Sequence, residues 1–125
     1  MIPTHFERLG GEPALRAIID AFIDAVTSDA MVGFFFTGVD VNRLKQREYE
    51  FTAQFLGAKI SYTGRPIDVA HARHRIMGGH FDRRRGILAR VLESRGIDPE
   101  IRRDWLAHVD KLRAQVTSQG RGECD

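Results

Sequence analysis

Apolar residues that recur every three or four positions, and almost nowhere every second position, restrict this chain to helices. From Glu12 onward Leu15, Ile18, Ile19, Phe22, Ile23 and Val26 fall on one face of a helical repeat. Gly10-Gly11 supplies a turn in front and Pro13 is tolerated in a first helical turn, so a helix is predicted over 12–28. A short helical turn over 4–9 precedes it. Gly33, Phe34, Phe35, Phe36, Thr37 and Gly38 form a tight apolar corner, after which Asp40 is a predicted N-cap. Leu44, Phe51, Phe55 and Leu56 mark one face of the helix that follows, up to Gly57. A loop carries Ser61, Tyr62, Thr63 and Gly64, and a short helix is expected after Pro66, ending at Gly78-Gly79. Residues 80–95 carry Phe81, Ile87, Leu88, Val91 and Leu92, and Gly96 closes that helix. Asp98-Pro99-Glu100 starts the last one, with Ile101, Trp105, Val109, Leu112 and Val116 inward. The expectation is an all-α domain over 1–116 with a mobile polar tail over 117–125.

A chain of 125 residues buries enough surface for one core and one enclosed ligand without a disulfide or structural-metal staple. The single cysteine, Cys124, agrees with that. No apolar run approaches the roughly 18 to 20 residues a membrane span requires, and the first residues lack the pattern of a secretory signal, so a cytoplasmic protein is expected. With 19 Lys plus Arg against 17 Asp plus Glu, the net charge of +2 does not announce a nucleic-acid binder. The run Arg83-Arg84-Arg85 lacks interleaved aromatics and reads as a solvated helix face.

Polar residues standing where the helical repeat asks for apolar ones carry the chemistry. On the helix after Asp40 the face 44, 48, 51, 52, 55 includes Glu48, and on the helix from His80 the face 81, 84, 88, 91 includes Arg84. An unpaired buried charge costs several kcal/mol, so the cheapest arrangement pairs these two or sets both on a polar cavity wall; each snorkelling separately to water is the competing arrangement. His71 and His74 share a face of the short helix after Pro66. With His80 they make H-x2-H-x5-H, which lacks the spacing and partners of a structural zinc site. No phosphate loop, nucleophile elbow or cysteine-base pairing is present in the sequence.

The segments F-E-R-L-G-G (6–11), F-F-x-G-V-D (35–40), R-L-K (43–45), Y-T-G-R-P (62–66), H-x4-I (71–76) and H-F-D (80–82) resemble, in order and spacing, the truncated hemoglobins of two-over-two helical type, closest to group I. The resemblance runs from Phe6 to about Val116. It implies heme b held between the helices at 42–56 and 80–95, with His71 as proximal iron ligand and His74 near a propionate or exposed. Phe36 matches the family's aromatic on the heme face, and Leu44 the position that is histidine in many longer globins. The residues themselves suit such a group: heme is a broad apolar disc with carboxylates at one edge, Phe22, Phe36, Phe51 and Phe55 can supply a crevice, and Arg47, Tyr62 and Arg65 a polar rim. Ile76, Phe81 and Leu88 complete the expected cofactor-binding set.

Departures from the family pattern bear on mechanism. Ile23 stands where a ligand-holding tyrosine is common, Glu48 where group I members often carry glutamine, Arg84 where an aliphatic residue is common, and Ala58 where a second glycine is usual. The resemblance implies binding of oxygen or nitric oxide at iron; Glu48 and Arg84 as catalytic residues extend this to peroxide, nitrite or nitric oxide chemistry, with a reductase as electron donor. A monomer or weak homodimer is expected, with neither nucleic acid nor membrane as partner. Two other readings stand beside it: a non-heme metal protein using His71, His74 and His80, and a small helical interaction module. Heme absorbance separates all three.

Overall fold

A computed structural model of the chain describes residues 2–64 and 77–117, and the described secondary structure is helical throughout. Helix α1 spans His5–Leu9, entered through a reciprocal cap in which the Thr4 hydroxyl accepts the Glu7 N–H and the Glu7 carboxylate accepts the Thr4 N–H. Helix α2, Gly11–Thr27, buries Leu15, Ile18, Ile19, Phe22, Ile23 and Val26, the six residues that the repeat had placed inward. Each such side chain contributes roughly 1.5–3 kcal/mol of burial, which makes α2 the axis of the core.

The aromatic corner is a 3₁₀ turn, Gly33–Phe36, and α3 follows over Val41–Phe55 with the Asp40 carboxylate accepting the Arg43 N–H. Helix α4 runs Gly78–Ser94, two residues earlier than the sequence suggests. The ring Nδ1 of His80 accepts the Met77 N–H at 3.1 Å, so both glycines are drawn into the first turn. Helix α5, Pro99–Lys111, is capped by Asp98, and a break at Leu112 separates it from α6, Arg113–Val116. Thr117, the first residue of the expected tail, is buried. Arg65, His71, His74, Ile76 and residues 118–125 lie outside the described residues.

Helix α2 packs against α3 on one side and α4 on the other, and α4 packs against α5. The result is two helix pairs, α2 with α3 and α4 with α5. At the end of α3 the chain closes on α1: the Phe6 N–H donates to the Leu56 carbonyl, and Gly57 sits at φ +106 where an added Cβ would lie 2.7 Å from the Thr4 Cβ. Only glycine meets both demands. On the opposite side Asp29 fastens the corner to α4. Its carboxylate accepts from the Arg83 guanidinium at 2.6 Å and from the Met31 and Val32 N–H groups, and these bonds, led by that from Arg83, hold its pKa at about 2. No helix among the described residues is long and apolar enough to cross a membrane.

Candidate functional site

Helix α3 is apolar on two faces, and that division creates the site. Tyr49, Ala53 and Leu56 are buried in the core, whereas Leu44, Glu48, Phe51 and Thr52 line a cavity of about 720 Å³. Of the face 44, 48, 51, 52, 55 read from the sequence, the first four line the cavity and Phe55, expected in the crevice, does not; Ala53 went unassigned, and Tyr49, a candidate sixth ligand by sequence, lies on the core face. Across the cavity stand Phe81 and Arg84 of α4 and Trp105, His108 and Val109 of α5, with Phe35 and Phe36 closing one end. Such a volume with mainly apolar walls is in the range of enclosed small-molecule sites.

Glu48 and Arg84 meet. The Arg84 Nη2 donates to Glu48 Oε1 at 3.0 Å, and the guanidinium lies over the Phe22 ring, 4.8 Å from its centre. Among the described residues, the second carboxylate oxygen of Glu48 accepts only a long bond from the Thr52 hydroxyl, 3.4 Å. The side chains remain 20% and 29% exposed, so the pair borders the cavity and keeps partial access to solvent. An apolar wall therefore carries one cation and one anion side by side, able to donate to an incoming ligand or to hold a proton.

Of the site residues expected from the sequence, Phe36, Leu44, Arg47, Glu48, Phe51, Tyr62, Phe81 and Arg84 line the cavity. Phe22 and Leu88 are buried in the core instead of the wall, Phe22 beneath Arg84. Arg65, His71, His74 and Ile76 are outside the described residues. Arg43, which sequence reading passed over, lines the cavity beside Arg47 and is exposed to solvent, giving the mouth two guanidinium groups. His80 also lines it, its ring edge-on to Phe35 at 5.1 Å. With Nδ1 of His80 engaged in the cap of α4, one nitrogen is left to a metal, and among the described residues no cluster of three or more His, Cys, Asp and Glu could hold an ion.

Two further residues escaped the sequence. Glu50, buried on α3, accepts from the Thr63 N–H at 2.8 Å, the Thr63 hydroxyl at 2.7 Å and the Gln46 amide at 2.8 Å, which ties the 61–64 loop to the helix and sets Tyr62 edge-on to Phe51. Burial pushes its carboxyl upward, but these hydrogen bonds and the nearby Arg47 outweigh it and hold its pKa below the usual 4.5. A carboxylate depressed on folding stabilises the fold above its unfolded pKa, and that contribution disappears as pH falls through the folded value. Glu50→Gln is thus expected to lower the denaturation midpoint at neutral pH, and that difference to shrink as pH falls below the usual 4.5, as urea titrations across that range would report. Gly64 packs against the Tyr62 phenol where a Cβ would collide with it. His108 is the other residue. Its ring stacks on Phe55 at 3.9 Å and 8°, beside Phe51, and a single histidine inside an apolar helical stripe gives no sequence signal of its own.

A family model described as bacterial-like globin matches residues 4–118. The chain is 32% identical to a group 1 truncated hemoglobin of Mycolicibacterium paratuberculosis over 118 residues, 94% of this chain and 87% of that one. It is 31% identical to a group 1 truncated hemoglobin of Tetrahymena pyriformis, covering 90% and 93%. Among solved structures, the ferric truncated hemoglobin of Tetrahymena pyriformis superposes with a TM-score of 0.85 at 26% identity, over 92% of this chain and 98% of that one. The 2/2 hemoglobin of a Synechococcus species, in the cyanomet state with covalently attached heme, gives 0.86 at 23% identity over 91% and 98%, a likeness of fold.

Proposed function

The chain belongs to the bacterial-like globin family and is a truncated hemoglobin of group 1 kind, and we propose that its cavity holds heme b, that His71 would hold the iron and that the iron would take a small diatomic ligand. The observation that carries this reading is the cavity of about 720 Å³ between α3 and the α4–α5 pair. Its residues suit the group: Phe36, Phe51 and Phe81 offer apolar surface to a porphyrin plane, and Arg43 and Arg47 at the mouth offer charge to two propionates. When bound, heme supplies an iron centre that takes a diatomic ligand and exchanges single electrons.

The chain's own residues decide what that centre meets. Leu44 and Ile23 are cavity-lining side chains with nothing to donate, and Arg84 is the donor we assign to the ligand. Phe22 below and Glu48 beside it fix the plane of the Arg84 guanidinium. Reversible binding of oxygen or nitric oxide needs no more than this. The carboxylate next to the guanidinium favours a second use: Glu48 can hold or pass a proton and Arg84 can receive an anion, a set suited to peroxide or nitrite turnover with electrons from a reductase.

Titrating the purified chain with hemin tests the reading. A stoichiometric complex with a sharp Soret band, and a ferrous form that takes carbon monoxide, is the expected result. A chain that stays colourless with hemin added overturns it.

A further inference from the structure

His108 enters the cavity wall as a polar group with no work assigned to it. Of its two ring nitrogens, Nε2 is buried and has no hydrogen-bond partner among the described residues. The ring is held by Phe55, stacked in parallel at 3.9 Å, and by Phe51 at 5.6 Å, so it is a fixed element of the wall. The charged groups bearing on it are Lys111 on its own helix and Glu48 from α3, and Glu48 is in turn tied to Arg84 of α4. Asp104, one turn back along α5, is engaged by His5 at 2.8 Å.

Glu48 has spare capacity. Arg84 holds Oε1 at 3.0 Å, while among the described residues Oε2 has only the 3.4 Å bond from Thr52. We propose that His108 is a proton-operated element of this cavity: neutral, it leaves Glu48 and Arg84 as a closed pair, and protonated, it makes a second cation for Glu48, adds a positive charge to the inner wall and strengthens the cavity's hold on a small monoanion. The charge count is simple. Glu48 and Arg84 cancel, Arg43 and Arg47 against Asp40 leave +1, and the imidazolium raises the wall from +1 to +2.

Burial first and Lys111 second hold the imidazole below its ordinary 6.5, with Glu48 pulling the other way. At neutral pH the ring is therefore uncharged, and the anion-accepting form appears on acidification. Protonation also places a cation on the faces of Phe55 and Phe51, which aromatic rings favour.

The inference rests on the heme reading only for its second measurement. In the first, the His108 ring resonance is followed by NMR against pH in the wild-type protein and in Glu48→Gln. Loss of the carboxylate is expected to move the His108 midpoint to lower pH, and an unmoved midpoint overturns the proposal. In the second, fluoride affinity of the ferric, heme-loaded protein is measured from about pH 7 down through the His108 midpoint that the NMR titration gives, in wild type and His108→Phe, a variant that keeps the stack on Phe55. The ratio of the two affinities is expected to grow on acidification, by up to about tenfold per pH unit while His108 gains its proton. A ratio independent of pH sinks the idea. A chain that takes up no heme defeats the heme reading instead, and the NMR comparison then judges the role of His108 alone.

Discussion

His71→Ala is expected to remove the normal Soret spectrum of the heme-loaded protein and to speed transfer of heme to an acceptor apoglobin by well over about tenfold, more than 1.4 kcal/mol of binding. The reason is chemical. Phe36, Phe51 and Phe81 offer the macrocycle only apolar contact, which a loose or tilted heme satisfies nearly as well, whereas an axial imidazole fixes both depth and orientation. Imidazole added to the variant has room to act in place of the missing ring and is expected to restore much of the spectrum. His74→Ala, three residues along, is the matched control and is expected to leave the Soret band in place. If His71→Ala keeps an unaltered ferric, ferrous and carbonyl series, another side chain holds the iron; His80 and His108, the two imidazoles in the described cavity wall, are then the ones to replace next.

Helix α2 was fully legible in the sequence because a single apolar stripe has a single solution: bury it. Helix α3 was legible by half. It carries two apolar stripes, and the one containing Leu44, Phe51 and Phe55 stands out because its members are bulky, while the core-facing one relies on Ala53 and on Tyr49, whose ring lies under the Arg16 guanidinium at 4.0 Å. Small or amphipathic residues bury well and signal poorly. Glu48 and Arg84 announced themselves by breaking a repeat, and their contact followed from the cost of leaving either charge alone. Glu50 did not, because it lies on no apolar face; its burial is created by the 61–64 loop folding over it, a tertiary event without a local trace. Phe22 shows the converse limit. The repeat placed it inward correctly, but periodicity does not separate a core from a cavity wall lying one residue's depth beyond it.

Arg84→Leu is expected to destabilise the fold by about 1–3 kcal/mol, since it leaves the Glu48 carboxylate facing apolar surface with only the long Thr52 bond. The partial exposure of both side chains keeps the penalty below that of a fully buried broken pair. Glu48→Gln is expected to cost less, because the guanidinium retains its place over Phe22 and the amide oxygen accepts in the carboxylate's stead. In the double variant the polar pair becomes an amide beside a leucine, and stability is expected to recover most of what Arg84→Leu loses, which a double-mutant cycle measures directly. Ligand kinetics then separate a structural pair from a working one. If Arg84 donates to the bound ligand, its removal deletes a charge-assisted hydrogen bond of about 1.5–3 kcal/mol and raises the oxygen dissociation rate roughly ten- to hundredfold. Glu48→Gln leaves that donor in place, so oxygen dissociation is expected to change little while peroxide turnover, which calls for a proton carrier, falls. Unchanged oxygen and peroxide rates in both single variants, alongside a normal stability cycle, would reduce the pair to a neutralised wall of the cavity with no part in its chemistry.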